Sequence, residues 1–464
     1  MEKTDIAIIG AGPGGYVAAI RAAQLGKQVT LIEEKALGGI CLQEGCIPSK
    51  ALISAADFYH RIQKAGDMGI TIQNASLDFE KLQSWKQSIL TKLTQGVESL
   101  CKSNKITLIK GTATFSSSHT LTIKTNEGNK ELAFGHAIIA TGSRPIQLPQ
   151  FPFDEKTIIS STGALSMQNI PKTLAVIGGG YIGLELGTVY AKLGSKVTVI
   201  EMTDQLLPGN DKDCVDIIGR NFSKLGVQVL LESKATSFTN NTLCIETREG
   251  QKKIEADIVL VAVGRIPNTK HINLENTKVT LDSHGFIEVN DSLQTKDPNI
   301  YAIGDISRGP MLAHKASYQG KAVAEIIAKK RESLQDELVP AVIFTDPEIA
   351  SIGLTELQAQ QQNIPVSIGK FPFTALGKAM IKNETQGFVK IISDENKQKI
   401  LGVQIVGCDA SNLISEAALA IKHNLSVDEI SELIHPHPTL SESLGEAAEA
   451  VQSRAIHILN PKTL

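Results

Sequence analysis

The chain has 464 residues, about three domains at roughly 150 residues each. Its 46 Lys and Arg nearly balance 49 Asp and Glu, giving a formal net charge of -3, so no basic footprint for nucleic acid is expected. With 42% hydrophobic and 4% aromatic residues the cores should be aliphatic, which suits parallel α/β sheets, and no apolar run reaches the ~18 residues of a membrane span.

Met1 to Asp5 leads at once into a strand, so no signal or transit segment and a cytoplasmic location are expected. The strand Ile6 to Ile9 runs into Gly10-x-Gly12-x-x-Gly15, then a helix, then a second strand, Val29 to Ile32, that ends in Glu33. The whole pattern recurs without gaps at an offset of 168: Gly10, Gly12, Gly15 and Glu33 return as Gly178, Gly180, Gly183 and Glu201. In such a unit the first glycine makes the strand-to-helix turn, the second lets the backbone approach a pyrophosphate, and the third lets the helix pack on the strand. The helix N-terminus then holds the diphosphate. Glu33 and Glu201 stand where a carboxylate accepts from ribose hydroxyls and repels a 2′-phosphate, which favours NAD over NADP at the second copy. One such motif is a weak signal, since a glycine turn serves any βα unit. Two copies, each with strand, helix and terminal acid, imply two dinucleotides in one chain.

Between the copies lies Gly38-Gly39-Ile40-Cys41-Leu42-Gln43-Glu44-Gly45-Cys46-Ile47-Pro48-Ser49-Lys50. C-x4-C is not a usual zinc spacing, no second Cys or His pair lies nearby to complete four ligands, and no metal is expected. In a regular helix residues five apart have Cα atoms about 8–9 Å apart, whereas a disulfide needs about 4.4–6.8 Å. Joining the sulfurs therefore requires a break, and Gly45 supplies the freedom for it. A bond closed this way would be readily reduced; the alternative is two unrelated buried thiols. Cys101, Cys214, Cys244 and Cys408 are scattered and read as small core residues. Lys50 is either a surface charge or a group facing the same cofactor as Cys46.

Each copy closes on a strand and a glycine turn, Ala137 to Thr141-Gly142-Ser143 and Ile258 to Val263-Gly264, with a crossing between domains at Gln147 to Pro152. Ile300 to Gly304-Asp305 is a further strand, its Asp a helix cap or a ligand group. The last third reads as α+β, with strands Phe388 to Ile392 and Ile400 to Val406 and helices Asn412 to His423 and Val427 to Leu433. Near its end comes His435-Pro436-His437-Pro438-Thr439-Leu440-Ser441-Glu442. The prolines hold this segment non-helical, and Glu442 can reach one ring nitrogen of His437, leaving the other as a general base. A surface histidine beside a helix start is the plainer reading.

The two glycine motifs, GGICLQEGCIPSK and HPHPTLSE, in this order, resemble the pyridine nucleotide–disulfide oxidoreductases over essentially the whole chain. The resemblance implies an α/β fold with two Rossmann-like dinucleotide-binding domains plus a C-terminal α+β interface (dimerisation) domain. It divides the chain into an FAD-binding domain (1–148), an NAD-binding domain (149–270), a central domain completing the FAD site (271–341) and the interface domain of a homodimer (342–464). By position, Cys41 would be the interchange thiol facing substrate and Cys46 the thiol against the flavin. Lys50 would lie near the flavin's reactive nitrogen, and Asp305 on the ribityl chain. Gly10, Gly12, Gly15, Glu33, Thr141, Gly142 and Ser143 would complete the FAD site. Gly178, Gly180, Gly183, Glu185, Glu201 and Gly264 would serve NAD, with Glu185 near the nicotinamide and Lys50. His437 and Glu442 would be a catalytic base pair contributed by the opposite subunit.

Within the family the resemblance points to members that oxidise protein-bound dihydrolipoyl groups with NAD+. Glutathione-type members would want a basic residue where Glu201 and Met202 stand, and others carry extra C-terminal cysteines that are absent here. The implied partners are the lipoyl domains of 2-oxo acid dehydrogenase complexes or the carrier protein of glycine cleavage. Pro436 departs from the small residue usual at its position. The rival readings are a reductase of another small disulfide and a flavin-binding redox sensor without turnover.

Overall fold

The computed structural model describes residues 1–334 and 338–460. Four strands of the first unit, Thr107–Lys110, Val29–Glu33, Glu2–Ile9 and the second half of Gly128–Ile139, lie side by side in parallel. Their residues are apolar on both faces, as a sheet covered by helices on each side demands, and Ile6, Ala7, Ile8 and Ile138 are fully buried. The fifth parallel strand, Ile300–Ala302, pairs with Ala137–Ile139. It arrives only after the chain has built the second unit.

The second unit repeats the plan. Gln228–Leu230, Lys196–Ile200, Thr173–Ile177, Ile258–Val261 and Ile158–Ile159 form a parallel sheet in that order. In both units a three-stranded antiparallel meander comes just before the unit's own last parallel strand, formed by Thr112–Ser117, Thr120–Thr125 and the first half of Gly128–Ile139 in the first unit, and by Lys234–Thr239, Thr242–Thr247 and Gly250–Glu255 in the second. The two exits pair with each other: Ser143–Pro145 runs antiparallel to Arg265–Pro267.

The segment after the second unit packs back on the first. Helix Ala313–Ile327 crosses helix Pro13–Gln24 so closely that a Cβ on Gly320 would meet the Gly14 carbonyl oxygen at 2.4 Å. Arg21 and Glu325 close the crossing with an ion pair at 2.9 Å.

The C-terminal part is a five-stranded antiparallel sheet, ordered Ala341–Ile343, Glu348–Gly353, Ile400–Gly407, Phe388–Asp394 and Val366–Pro372. Helices Ala410–Lys422 and Glu442–Val451 share its apolar core. The strand Phe388–Asp394 also carries Lys390, which is 1% exposed. Lys390 Nζ meets Asp211 at 2.8 Å, Asp213 at 2.9 Å and Glu356 at 3.1 Å. Asp211, itself buried, also accepts the Glu356 and Leu357 N–H groups. A buried ammonium must have such partners, and here they tie the second nucleotide unit to the C-terminal sheet. Cys101 and Cys214 are core residues as expected; Cys244 and Cys408 are only half-buried, Cys408 at the edge of the C-terminal core.

Candidate active site

The two glycine loops agree in their details. Gly10 and Gly178 have φ +98° and +109°, and a Cβ on either would strike a carbonyl oxygen of the neighbouring strand exit, Ala140 at 2.4 Å or Ala262 at 2.5 Å. Gly15 and Gly183 press against the carbonyls of Gly10 and Gly178 in turn. These four glycines are required by the chain's own packing. The middle glycines are not: a Cβ on Gly180 would meet nothing within 4 Å, and one on Gly12 only the Gly39 Cα at 4.0 Å. Gly12 and Gly180 are the N-caps of helices Pro13–Gln24 and Tyr181–Lys192, neither of which has a side-chain cap or an acid in its first turn. Free N–H groups, uncompensated positive helix ends and open space in front of them fit a pyrophosphate at each loop.

Glu33 and Glu201 brace these loops. Glu33 accepts the Ala11 N–H at 2.7 Å and the Lys35 N–H at 2.9 Å. Glu201 accepts the Gly179 N–H at 2.6 Å and the Thr203 N–H at 2.8 Å. Each carboxylate keeps a lone pair for a ribose hydroxyl.

Cys41 sits in the short helix Gly39–Gln43, and Cys46 is the first residue of the long helix Cys46–Gln63. Gly45 makes the break between them: its φ and ψ are −149° and −110°, and a Cβ there would meet the Ile40 carbonyl at 2.9 Å. Cys41 and Cys46 stand as two thiols that act on each other. The neighbouring thiol pulls Cys46 down to about 7, aided by Lys50 against the effect of burial. The same neighbour, with burial, pushes Cys41 upward. Cys46 is therefore the more readily ionised of the two, at the start of a helix where thiolates are favoured.

Lys50, one turn further along, forms an ion pair at 2.7 Å with Glu185 of helix Tyr181–Lys192. Glu185 is buried, and its other oxygen accepts the Phe344 N–H at 2.9 Å. The Phe344 ring lies 4.4 Å from Lys50 Nζ. Both nucleotide units and the C-terminal part thus meet at one carboxylate. On the other flank Asp305, in the turn Gly304–Ile306, accepts the Ser143 hydroxyl at 2.5 Å. Arg265 donates to the same hydroxyl at 2.8 Å and to the Ser143 carbonyl at 2.8 Å. Burial lowers the Arg265 pKa, while the charges of Asp305 and Cys46 work in the opposite sense. Asp305 is no helix cap. Thr141 and Gly142 spend their polar groups on Asn268, and Gly264 accepts the Ile146 N–H, so these turns hold the two exits together.

His437 and Glu442 form a separate constellation. His437 Nδ1 lies 2.7 Å from Glu442, whose second oxygen accepts the Thr439 N–H at 2.7 Å. Burial works upward on Glu442, but these two bonds outweigh it and hold the carboxyl below its ordinary range. The His437 side chain is 80% exposed. Among the described residues no hydrogen bond or ion pair joins this pair to Cys41, Cys46, Lys50 or Glu185.

Residues 4–320 match the family described as pyridine nucleotide-disulphide oxidoreductase, and residues 339–448 match its dimerisation domain. The chain belongs to the pyridine nucleotide-disulphide oxidoreductase family. It is 47% identical over 461 residues to a dihydrolipoyl dehydrogenase of Geobacillus stearothermophilus and 46% identical over 462 to one of Bacillus subtilis, with 98% of each chain covered. The crystal structure of LpdA from Mycobacterium tuberculosis matches at TM-score 0.89 and 26% identity, over 97% of this chain and 99% of that one. As a member of the family this chain is an α/β flavoprotein oxidoreductase with FAD and NAD as cofactors, and its C-terminal part makes the homodimer. No helix among the described residues is long and apolar enough to cross a membrane.

Of the residues expected at the site, the structure pairs Lys50 with Glu185 and Ser143 with Asp305. Arg265 and Phe344 were missed in the sequence. Arg265 had a signal: Gly142-Ser143-Arg144-Pro145 and Gly264-Arg265-Ile266-Pro267 are matching exits, each with an arginine before the proline. Phe344 had none, because its backbone N–H and ring act through a contact made only on folding.

Proposed function

We propose that this chain oxidises protein-bound dihydrolipoyl groups to lipoyl disulfide with NAD+ as acceptor. The observation that carries the reading is the placing of Cys41 and Cys46 on either side of the Gly45 break, at the head of a helix whose Lys50 is ion-paired to Glu185 of the second nucleotide unit. The close kinship with dihydrolipoyl dehydrogenases selects the substrate.

In the oxidised enzyme Cys41 and Cys46 are joined, and His437 Nε2 takes the proton of one substrate thiol, its Nδ1–H held by Glu442. The substrate sulfur attacks Cys41, and Cys46 leaves as a thiolate, stabilised by Lys50. The second substrate sulfur then displaces Cys41, closing lipoyl disulfide and leaving Cys41 and Cys46 as a dithiol. The loop at residues 10–15 would hold FAD and the loop at residues 178–183 the nicotinamide nucleotide, and the flavin would supply the two-electron chemistry between that dithiol and NAD+. Glu185 orients Lys50 while the Phe344 N–H orients Glu185. His437 is exposed and makes no bond to Cys41 in its own chain, which suits a base acting on the partner subunit's cysteine pair across the homodimer. The lipoyl groups would arrive on lipoyl domains of 2-oxo acid dehydrogenase complexes or on the glycine-cleavage carrier. A cytoplasmic location goes with this reading, since the four cysteines outside the redox pair stand singly, as suits a reducing compartment.

Anaerobic titration of the purified holoenzyme with NADH tests the core of it: a long-wavelength thiolate–flavin absorbance should grow as the flavin bleaches. Turnover of dihydrolipoamide should exceed that of glutathione disulfide with one preparation. The reverse order would make the chain a reductase of another small disulfide.

A further inference from the structure

The ion pair of Lys50 and Glu185 is repeated two helical turns away. Asp57 is seven residues after Lys50 on helix Cys46–Gln63, and Lys192 is seven residues after Glu185 on helix Tyr181–Lys192. Seven residues bring a side chain back to nearly the same face, about 10 Å along the axis. Lys192 Nζ meets Asp57 at 2.5 Å. The two helices therefore run parallel. The charges are reversed between the two contacts, so a slide by one repeat would set like charges together. In both contacts the helix of the second nucleotide unit buries its charge: Glu185 is 4% and Lys192 2% exposed.

The C-terminal part bridges both contacts within three consecutive residues. Phe344 gives its N–H to Glu185 and its ring to Lys50. Asp346 places its carboxylate 2.6 Å from Lys192, and its own carbonyl accepts from Asn221 of helix Lys212–Lys224. Lys192 is thus held between carboxylates of the first unit and the C-terminal part. A buried ammonium so placed resists any slide of one helix on the other, because a slide leaves it unpaired.

We infer that Asp57, Lys192 and Asp346 are positioning residues for the redox centre, setting the height of Cys46 and Lys50 against Glu185 and the nicotinamide site. They touch no reacting atom; they act through the Lys50–Glu185 pair. The inference rests on the proposed function, since it assigns the dithiol helix a register that matters for electron transfer.

The test is the Asp57→Asn variant of the FAD-loaded, NADH-reduced holoenzyme, with the pH profile of Cys46 alkylation read by peptide mass spectrometry. Displacing Lys50 removes its pull on the thiolate, so the profile should move to higher pH by about half a unit to one unit. Turnover should fall about tenfold at unchanged FAD content, the scale that a small misplacement costs. Asp57→Glu should restore both, and Asp346→Asn, on the other side of Lys192, should move the profile the same way. In a Glu185→Gln background Asp57→Asn should have no further effect on the profile. Wild-type profiles in both asparagine variants, whatever their thermal stability, would overturn the inference. Should the wild-type enzyme itself show no low-pKa thiol at Cys46, the proposed function fails instead.

Discussion

The two nucleotide units share one scaffold and diverge beyond the strand that ends in the acid. In the later unit the chain passes from Lys196–Ile200 through the helix Lys212–Lys224 to the next parallel strand, Gln228–Leu230. In the earlier unit the same interval, from Glu33 to Thr107, holds the helices Gly39–Gln43, Cys46–Gln63 and Phe79–Ser103. That enlarged interval carries both redox cysteines and Lys50, and it lays the dithiol helix along the helix Tyr181–Lys192 of the other unit. Glycine loops and terminal acids are common to both halves because both must hold a dinucleotide. The thiols occur once because the chemistry is needed once.

The comparison breaks first at the unshared part. Cys41→Ser or Cys46→Ser should abolish dihydrolipoamide oxidation while FAD stays bound, measured by steady-state turnover and flavin content. Full activity in either variant would rule out the disulfide relay. His437→Gln should slow thiol oxidation by about 10²–10⁴-fold, with NADH oxidation by artificial acceptors kept. A variant slowed equally in both assays would make His437 structural.

The shared part gives smaller effects and separates its glycines by role. Gly180→Val fills space that the fold leaves open, so it should raise the KM for NAD+ by about 10–100-fold, roughly the loss of one hydrogen bond to a charged group, at an unchanged Tm. Gly183→Val meets the Gly178 carbonyl at 2.3 Å already at its Cβ, so it should lower folded yield and Tm. Equal effects of the two on nucleotide binding and stability would erase the distinction. The smallest test is pH. Cys46 is depressed to about 7 in the folded dithiol, below the ~8.5 of a free thiol. Its thiolate therefore contributes stability that is fully present above the unfolded pKa and is lost as pH falls through about 7. The long-wavelength absorbance of the reduced holoenzyme should fade over the same interval.

The repeat, the terminal acids, the break at Gly45 and the proximity of His437 to Glu442 were legible in the sequence because each has a local cause. A glycine at φ +98° or a carboxylate five residues from its histidine needs only its immediate neighbours to be explained. The same holds for the apolar strands, whose burial on both faces announces a covered parallel sheet. Arg265 was half legible, through the likeness of the two exits.

Only the tertiary structure decided the contacts between residues far apart in the chain. The fifth strand of the first sheet comes from Ile300–Ala302, after an entire second unit, because a parallel strand can be supplied by any later segment that returns with the right twist. The residues around Lys50 do not by themselves name Glu185, which only the family resemblance set near it, and nothing in the sequence says that Asp211 and Glu356 await Lys390. A charge states only that it must be paired if buried. Which charge meets it depends on how the two nucleotide units and the C-terminal sheet dock, and that is settled by the packing of whole surfaces rather than by any short run of residues.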